Sequence, residues 1–184
     1  MAQDSSYVLN ISEQSFSINT IEEDSIYENK SILTEVFVDT SSISNLNFRS
    51  YLIPVEFDSS GEKMLGAKNI EVYKITICND SLNTQRLQLQ DNRLVMIQEA
   101  MDSFGTWKAI EYFVHSTCGN SYAEIELPNG FCLDGLIAKY IGDFKTKLRV
   151  KLLFNGQITY SNVYDGKINK SQFESDATNP DGSF

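Results

Sequence analysis

Several residue types are scarce in this chain, and each scarcity excludes something. A single histidine, His115, leaves most general acid–base schemes without their usual proton carrier. Three cysteines, Cys78, Cys118 and Cys132, cannot all pair. With no secretory signal ahead of them they read as reduced thiols, and Cys78, inside an alternating apolar run, reads as core. Only three prolines occur, at 54, 128 and 180, and no Pro-rich linker interrupts the chain. No run of 18 apolar residues is present, so no membrane-spanning helix is expected. The first residues, Met-Ala-Gln-Asp-Ser-Ser-Tyr, have neither the basic region nor the apolar stretch of a signal peptide, which points to cytoplasmic synthesis. In that setting the glycosylation-type triplets at Asn10, Asn29, Asn79 and Asn169 carry no meaning. A Gly-rich phosphate loop and a Gly-x-Ser-x-Gly elbow are also missing.

Positive charge is absent from both ends. Residues 1–29 hold six acids and no Lys or Arg, and residues 174–184 hold Glu174, Asp176 and Asp181 with no cation. Subtracting these nine acids from 25 leaves 16 acids against 15 bases in the remaining 144 residues. The body is therefore near neutral and the net charge of -10 resides in the arms. Nucleic acid is not an expected partner, because phosphate contacts need a cationic footprint.

What the chain does contain is strand periodicity. At 184 residues it is long enough for one domain with a sizeable core. From residue 31 onward apolar residues recur every second position, with strands expected at Ile32–Asp39, Leu46–Phe57, Asn69–Cys78, Thr84–Leu89 and Trp107–His115. Residues 93–104 have helical spacing in Leu94, Ile97, Met101 and Phe104, yet they flow into a convincing strand. A hairpin turning through Asp102–Gly105, with Ala100 beside Lys108, Met96 beside Tyr112 and Leu94 beside Val114, is the preferred reading. A short helix is possible over Asn169–Glu174. These signals give an all-β fold, an antiparallel β-sandwich of jelly-roll or immunoglobulin-like type with about nine to eleven strands and little helix. The expected divisions are an acidic extended N-terminal arm over 1–29, the sandwich over 30–173 and an acidic tail over 174–184. In the arm, Tyr7, Leu9 and Ile11 alternate, and Phe16, Ile18 and Ile21 follow loosely, so the arm is expected to add a strand somewhere.

Two turns permit a register argument. Asn155-Gly156 separates two alternating runs, Thr146–Phe154 and Gln157–Tyr164. Matching apolar residues across the strands favours a three-residue loop with Gly156 left-handed. The same reasoning at Pro128-Asn129-Gly130 pairs Leu127 with Phe131 and Ile125 with Leu133, with Gly130 left-handed. That second pairing would set Glu124 opposite Asp134, with Glu126 on the same face. Like charges directly opposite destabilise a sheet, so a compensating partner is expected. The row of Lys145, Lys147, Arg149 and Lys151 has the opposite sign. Lys147, Arg149 and Lys151 are therefore expected to meet Glu124, Glu126 and Asp134, within one sheet or between two copies.

Other chemistry is thinner. The three carboxylates lack any sign of a cleft, which a glycosidase pair would need, and they form a weak calcium set. His115 and Cys118 are one ligand pair where zinc sites usually show two, and three residues apart on a strand they point to different faces. Tyr112, Tyr122, Tyr140, Tyr160 and Tyr164 suit a core more often than a sugar platform. No catalytic residue, cofactor or metal site is assigned. The expected role is a non-enzymatic structural or adaptor subunit of a larger assembly, such as a phage virion. Its partners would be other protein subunits, in a homo- or hetero-oligomer, with neither nucleic acid nor membrane. The alternative is a β-sandwich module binding carbohydrate or another small ligand.

Overall fold

A computed structural model describes residues 17–20, 34–49, 56–57, 63–64, 67–91, 93–111, 116–154 and 156–173. The strands are β1 (Ser17–Thr20), β2 (Thr34–Arg49), β3 (Glu56–Phe57), β4 (Lys63–Met64), β5 (Ala67–Asn79), β6 (Gln85–Gln90) and β7 (Arg93–Leu94). They continue with β8 (Met96–Met101), β9 (Trp107–Ala109), β10 (Tyr122–Leu127), β11 (Phe131–Ala138), β12 (Phe144–Phe154), β13 (Gln157–Tyr160) and β14 (Tyr164–Ile168). Two short 3-10 helices, Gly119–Ser121 and Lys170–Phe173, complete the described elements. The all-β, antiparallel, sandwich-like expectation holds. The fourteen strands among the described residues exceed the expected nine to eleven because three are only two residues long.

The first sheet has the order β1-β11-β5-β2 and the second β10-β6-β12-β8-β9, with β13 and β14 on β12 and β7 on β6. Alternation explains the layering. Val36, Val38, Ile75, Ile77, Leu133 and Ile137 point inward from the first sheet. Leu87, Leu148, Val150, Leu152, Tyr164 and Ile168 meet them from the second. Each fully buried aliphatic side chain contributes roughly 1.5–3 kcal/mol. The Tyr73 ring meets that of Tyr164 edge-on across the layers, 6.1 Å between centres. Asn162, in the link between β13 and β14, ties the two sheets at their margin. Its Oδ1 accepts from the Val38 N–H at 2.7 Å, its Nδ2 donates to the Val38 carbonyl at 3.2 Å, and its own N–H donates to the Val36 carbonyl at 3.3 Å.

The hairpin reading of residues 93–109 is correct in register, with Ala100 opposite Lys108. The partners expected further on, Tyr112 and Val114, lie outside the described residues, as do His115 and Pro54. The Asp102 carboxylate holds this turn by accepting from the Phe104 and Thr106 N–H groups. The possible short helix after residue 168 is the 3-10 turn Lys170–Phe173.

Three expectations are corrected. First, Phe154 pairs with Gln157, so Asn155-Gly156 is a two-residue loop, although Gly156 is left-handed at φ +70°. Leu152 faces half-buried Thr159 without loss because it buries against the opposite sheet rather than against its cross-strand neighbour. Second, β10 and β11 do not pair. β10 runs along β6 and β11 along β5, so the chain changes sheets at Pro128-Asn129-Gly130. Gly130 is left-handed as expected, at φ +75°. Pro128 has no N–H for a ladder. The Leu127 carbonyl instead accepts from Asn79 Nδ2, and the Gly130 N–H donates to the Asn79 carbonyl. Asn79 is fully buried in this role, so its glycosylation-type triplet is a structural joint. Third, Cys78 and Cys132 lie opposite each other on β5 and β11 and form a disulfide, while Cys118 is free and exposed. The odd count concealed one pair and one spare.

Candidate functional site

The outer face of the second sheet carries the cationic row, because strand parity that sends Leu148, Val150 and Leu152 inward sends Lys147, Arg149 and Lys151 outward. Arg149 is the most constrained of these. Its Nε and a terminal nitrogen both lie 2.7 Å from Glu99 Oε2, directly opposite on β8. Its guanidinium also lies 4.3 Å from the centre of the Trp107 ring on β9 and 3.8 Å from that of Tyr160 on β13. Four adjacent strands thus converge on one planar cation. Stacking of this kind contributes about 0.5–1 kcal/mol per ring at exposed sites and more when water is excluded. Lys147 pairs with Asp165 of β14 at 2.7 Å, both side chains being exposed. Lys151 is also engaged by a neighbour.

The acidic residues are placed elsewhere. Glu124 and Glu126, on the edge strand β10, flank Arg86 of β6 at 3.7 and 3.4 Å. Asp134 lies in the first sheet, between Ser17 of β1 and Thr76 of β5. It accepts from the Thr76 hydroxyl at 2.7 Å and pairs with Lys74 at 2.8 Å. The requirement for compensating cations is met, but by Arg86 and Lys74. Within the chain, the ion pairs of Lys147 and Arg149 go to Asp165 and Glu99, and those of the three acids go to Arg86 and Lys74. Among the described residues no three His, Cys, Asp or Glu side chains are grouped to hold a metal. Of the tyrosines, Tyr164 is buried, Tyr122 is exposed and donates to the Ser116 carbonyl, and Tyr112 lies outside the described residues.

A second arrangement escaped the sequence reading. Gln98 occupies an inward position on β8 opposite Val150 and is almost fully buried. Its Nε2 donates to Glu111 Oε1 and to the Ala138 carbonyl, at 2.8 and 2.9 Å. Its Oε1 accepts from the Tyr164 hydroxyl at 2.7 Å. Its main-chain N–H donates to Glu111 Oε2 at 2.7 Å, and the Tyr140 hydroxyl donates to Glu111 Oε1 at 2.6 Å. The chain bends after β9, so that a carboxylate replaces a strand carbonyl as acceptor for Gln98. Burial pushes the Glu111 carboxyl above its usual range despite these three donors. The Tyr140 and Tyr164 hydroxyls are likewise pushed up, first by burial and then by the Glu111 charge. The missed signal was Gln98 itself, a long polar residue between apolar inward positions, which requires buried partners.

This network has a pH signature. A carboxyl whose folded pKa is raised stabilises the fold below its unfolded value and loses that contribution as pH rises through the folded value. The stability advantage of the wild type over Glu111→Gln should therefore shrink from about pH 4.5 upward. Urea melts of both proteins at successive pH values provide the check. A gap that stays constant or widens with pH would count against the assignment.

The arrangement can do two things chemically. It holds a locked guanidinium on one face, and it keeps one half-buried carboxyl group saturated with donors from its own chain. No protein-family model matches this chain, and neither curated proteins nor solved structures include a match to it.

Proposed function

We propose that this chain is a non-enzymatic structural or adaptor subunit of a multi-chain assembly, of which a virus particle is one kind. It would join its neighbours through sandwich faces and through strand addition by the N-terminal arm. The observation that carries this reading is β1. Four residues of the acidic arm form a strand on the edge of β11, paired from Ser17–Asp134 to Thr20–Phe131. A short strand with its own main-chain ladder is what β-augmentation uses, and the same edge accepts the same segment from another copy. The Cys78–Cys132 bridge supports work outside a reducing compartment, as a particle component meets after release. The carbohydrate-module reading draws less support, since the Trp107 and Tyr160 rings stack on Arg149 rather than standing clear for a sugar.

Sedimentation of the full chain and of a variant lacking residues 1–29 tests the proposal. The full chain should sediment as an oligomer and the shortened chain as a monomer. Asn19→Pro, which removes one donor from the β1 ladder, should shift the equilibrium the same way. A monomer in all three cases would overturn the reading.

A further inference from the structure

Among the described cations, Lys74, Arg86, Arg93, Lys108, Lys139, Lys147 and Arg149 each meet a carboxylate within 4 Å, and Lys151 is engaged by a neighbour. Lys145, Lys167 and Lys170 meet none among the described residues, and all three lie at one end of the second sheet. Lys145 and Lys167 are directly opposite each other on β12 and β14, both exposed. Two ammonium groups facing each other across a ladder cost stability rather than adding to it. Lys170 lies 5.5 Å from the centre of the Phe144 ring. Asp143 stands nearby, exposed and in no ion pair among the described residues, and Asp165 on the same face is held by Lys147. In a chain of net charge -10 this end is a local cationic excess.

We infer that this end is the docking surface for the acidic segment Glu174–Asp181 of the same chain. Chain continuity and charge both select it. The last described residue, Phe173, packs its ring edge-on against Phe144 at 5.6 Å, and Phe144 directly precedes Lys145. The next residues bring Glu174, Asp176 and Asp181 and no cation. Eight residues span up to about 26 Å when extended, so these carboxylates reach Lys145 and Lys167 without strain. Tethering supplies an effective concentration on the order of millimolar, enough for weak exposed ion pairs to act together. The segment would relieve the Lys145–Lys167 repulsion and screen this face from other anionic partners. The inference does not depend on the assembly reading, because its occupant belongs to the same molecule.

The test uses the full chain, mixed in equal parts with and without 15N label and treated with a carbodiimide that couples touching amines and carboxylates. Coupling of Lys145 or Lys167 to Glu174, Asp176 or Asp181 should occur within single-label molecules and fade at 1 M salt on the scale of ionic screening, about 3 Å. Independently, acetylation of Lys145 and Lys167 should be about 5-fold faster in the full-length variant Glu174→Gln, Asp176→Asn, Asp181→Asn, as expected for losing two or three exposed pairs. Lys74, held by Asp134, should react equally in both proteins. Mixed-label products in place of single-label ones would assign the surface to a second copy and overturn the inference. Unchanged acetylation of Lys145 and Lys167 would overturn it as well.

Discussion

Reduction of the Cys78–Cys132 bridge is expected to lower the unfolding free energy by about 4 kcal/mol. The bridge closes a segment of 54 residues. Loop-closure entropy places a bridge of this span between the roughly 3 kcal/mol of a 15-residue loop and the roughly 4.7 kcal/mol of a 100-residue loop. It joins β5 and β11, the two inner strands of the first sheet, and it therefore restrains every element between them in the unfolded chain. For a domain of this size the loss corresponds to a fall in melting temperature of about 8–16 °C. Thermal melts with and without reductant measure it, beside a Cys78→Ser, Cys132→Ser variant that should match the reduced wild type in both conditions. Cys118→Ser should change nothing, since that thiol is exposed and unbridged. A drop of less than about 3 °C on full reduction would show that the bridge contributes little.

Substitution of Gly142 by alanine is expected to cost about 3 kcal/mol, at the upper end of what overpacking does. A methyl group on Gly142 would overlap the carbonyl of Ile168 and crowd the Asn169 nitrogen. Both are main-chain atoms, so no side-chain rotation makes room. Ile168 is fully buried, and its strand β14 is anchored along β12 from Phe144 to Leu148. The loop carrying Gly142 must then move away from the sheet, weakening the packing of Phe144 and Phe173 as well. Gly119→Ala is the control, because nothing lies within 4 Å of a methyl group there. Its effect should stay within about 0.5 kcal/mol. Equal denaturant midpoints for the two variants would refute the close-approach argument.

Much of the layering was legible because period two is a local property. Val36 and Val38, Ile75 and Ile77, and Leu148, Val150 and Leu152 all occupy the inward positions that alternation assigns them. The positive φ values at Gly130 and Gly156 were legible for the same reason, since turn chemistry is written in two or three residues. What alternation does not encode is which strand lies beside which. Leu127 and Phe131 are four residues apart, yet they enter different sheets, because Pro128 withholds a donor and Asn79, 48 residues before Leu127, takes the free carbonyl. The partners of Glu124, Glu126 and Asp134 followed from that choice, so an error in sheet assignment became an error in electrostatics. Face matching at Asn155-Gly156 misled because burial of Leu152 comes from across the sandwich and not from Thr159. The Glu111 network was invisible to periodicity, which places Glu111 as one more residue of a regular strand.

The Asn162 amide has a consequence for growth in one dimension. Among the described residues β2 is an edge strand of the first sheet and, at 16 residues, its longest. An edge of that length is a natural template for endless stacking of copies. Asn162 occupies the Val36 carbonyl and both main-chain groups of Val38, so an incoming strand finds the first part of that template already taken by its own molecule. Copies that joined through the opposite margin, where β1 lies on β11, would find this stretch of β2 closed to further pairing. In the proposed assembly, such a molecule would offer one margin for joining and a partly capped margin opposite it.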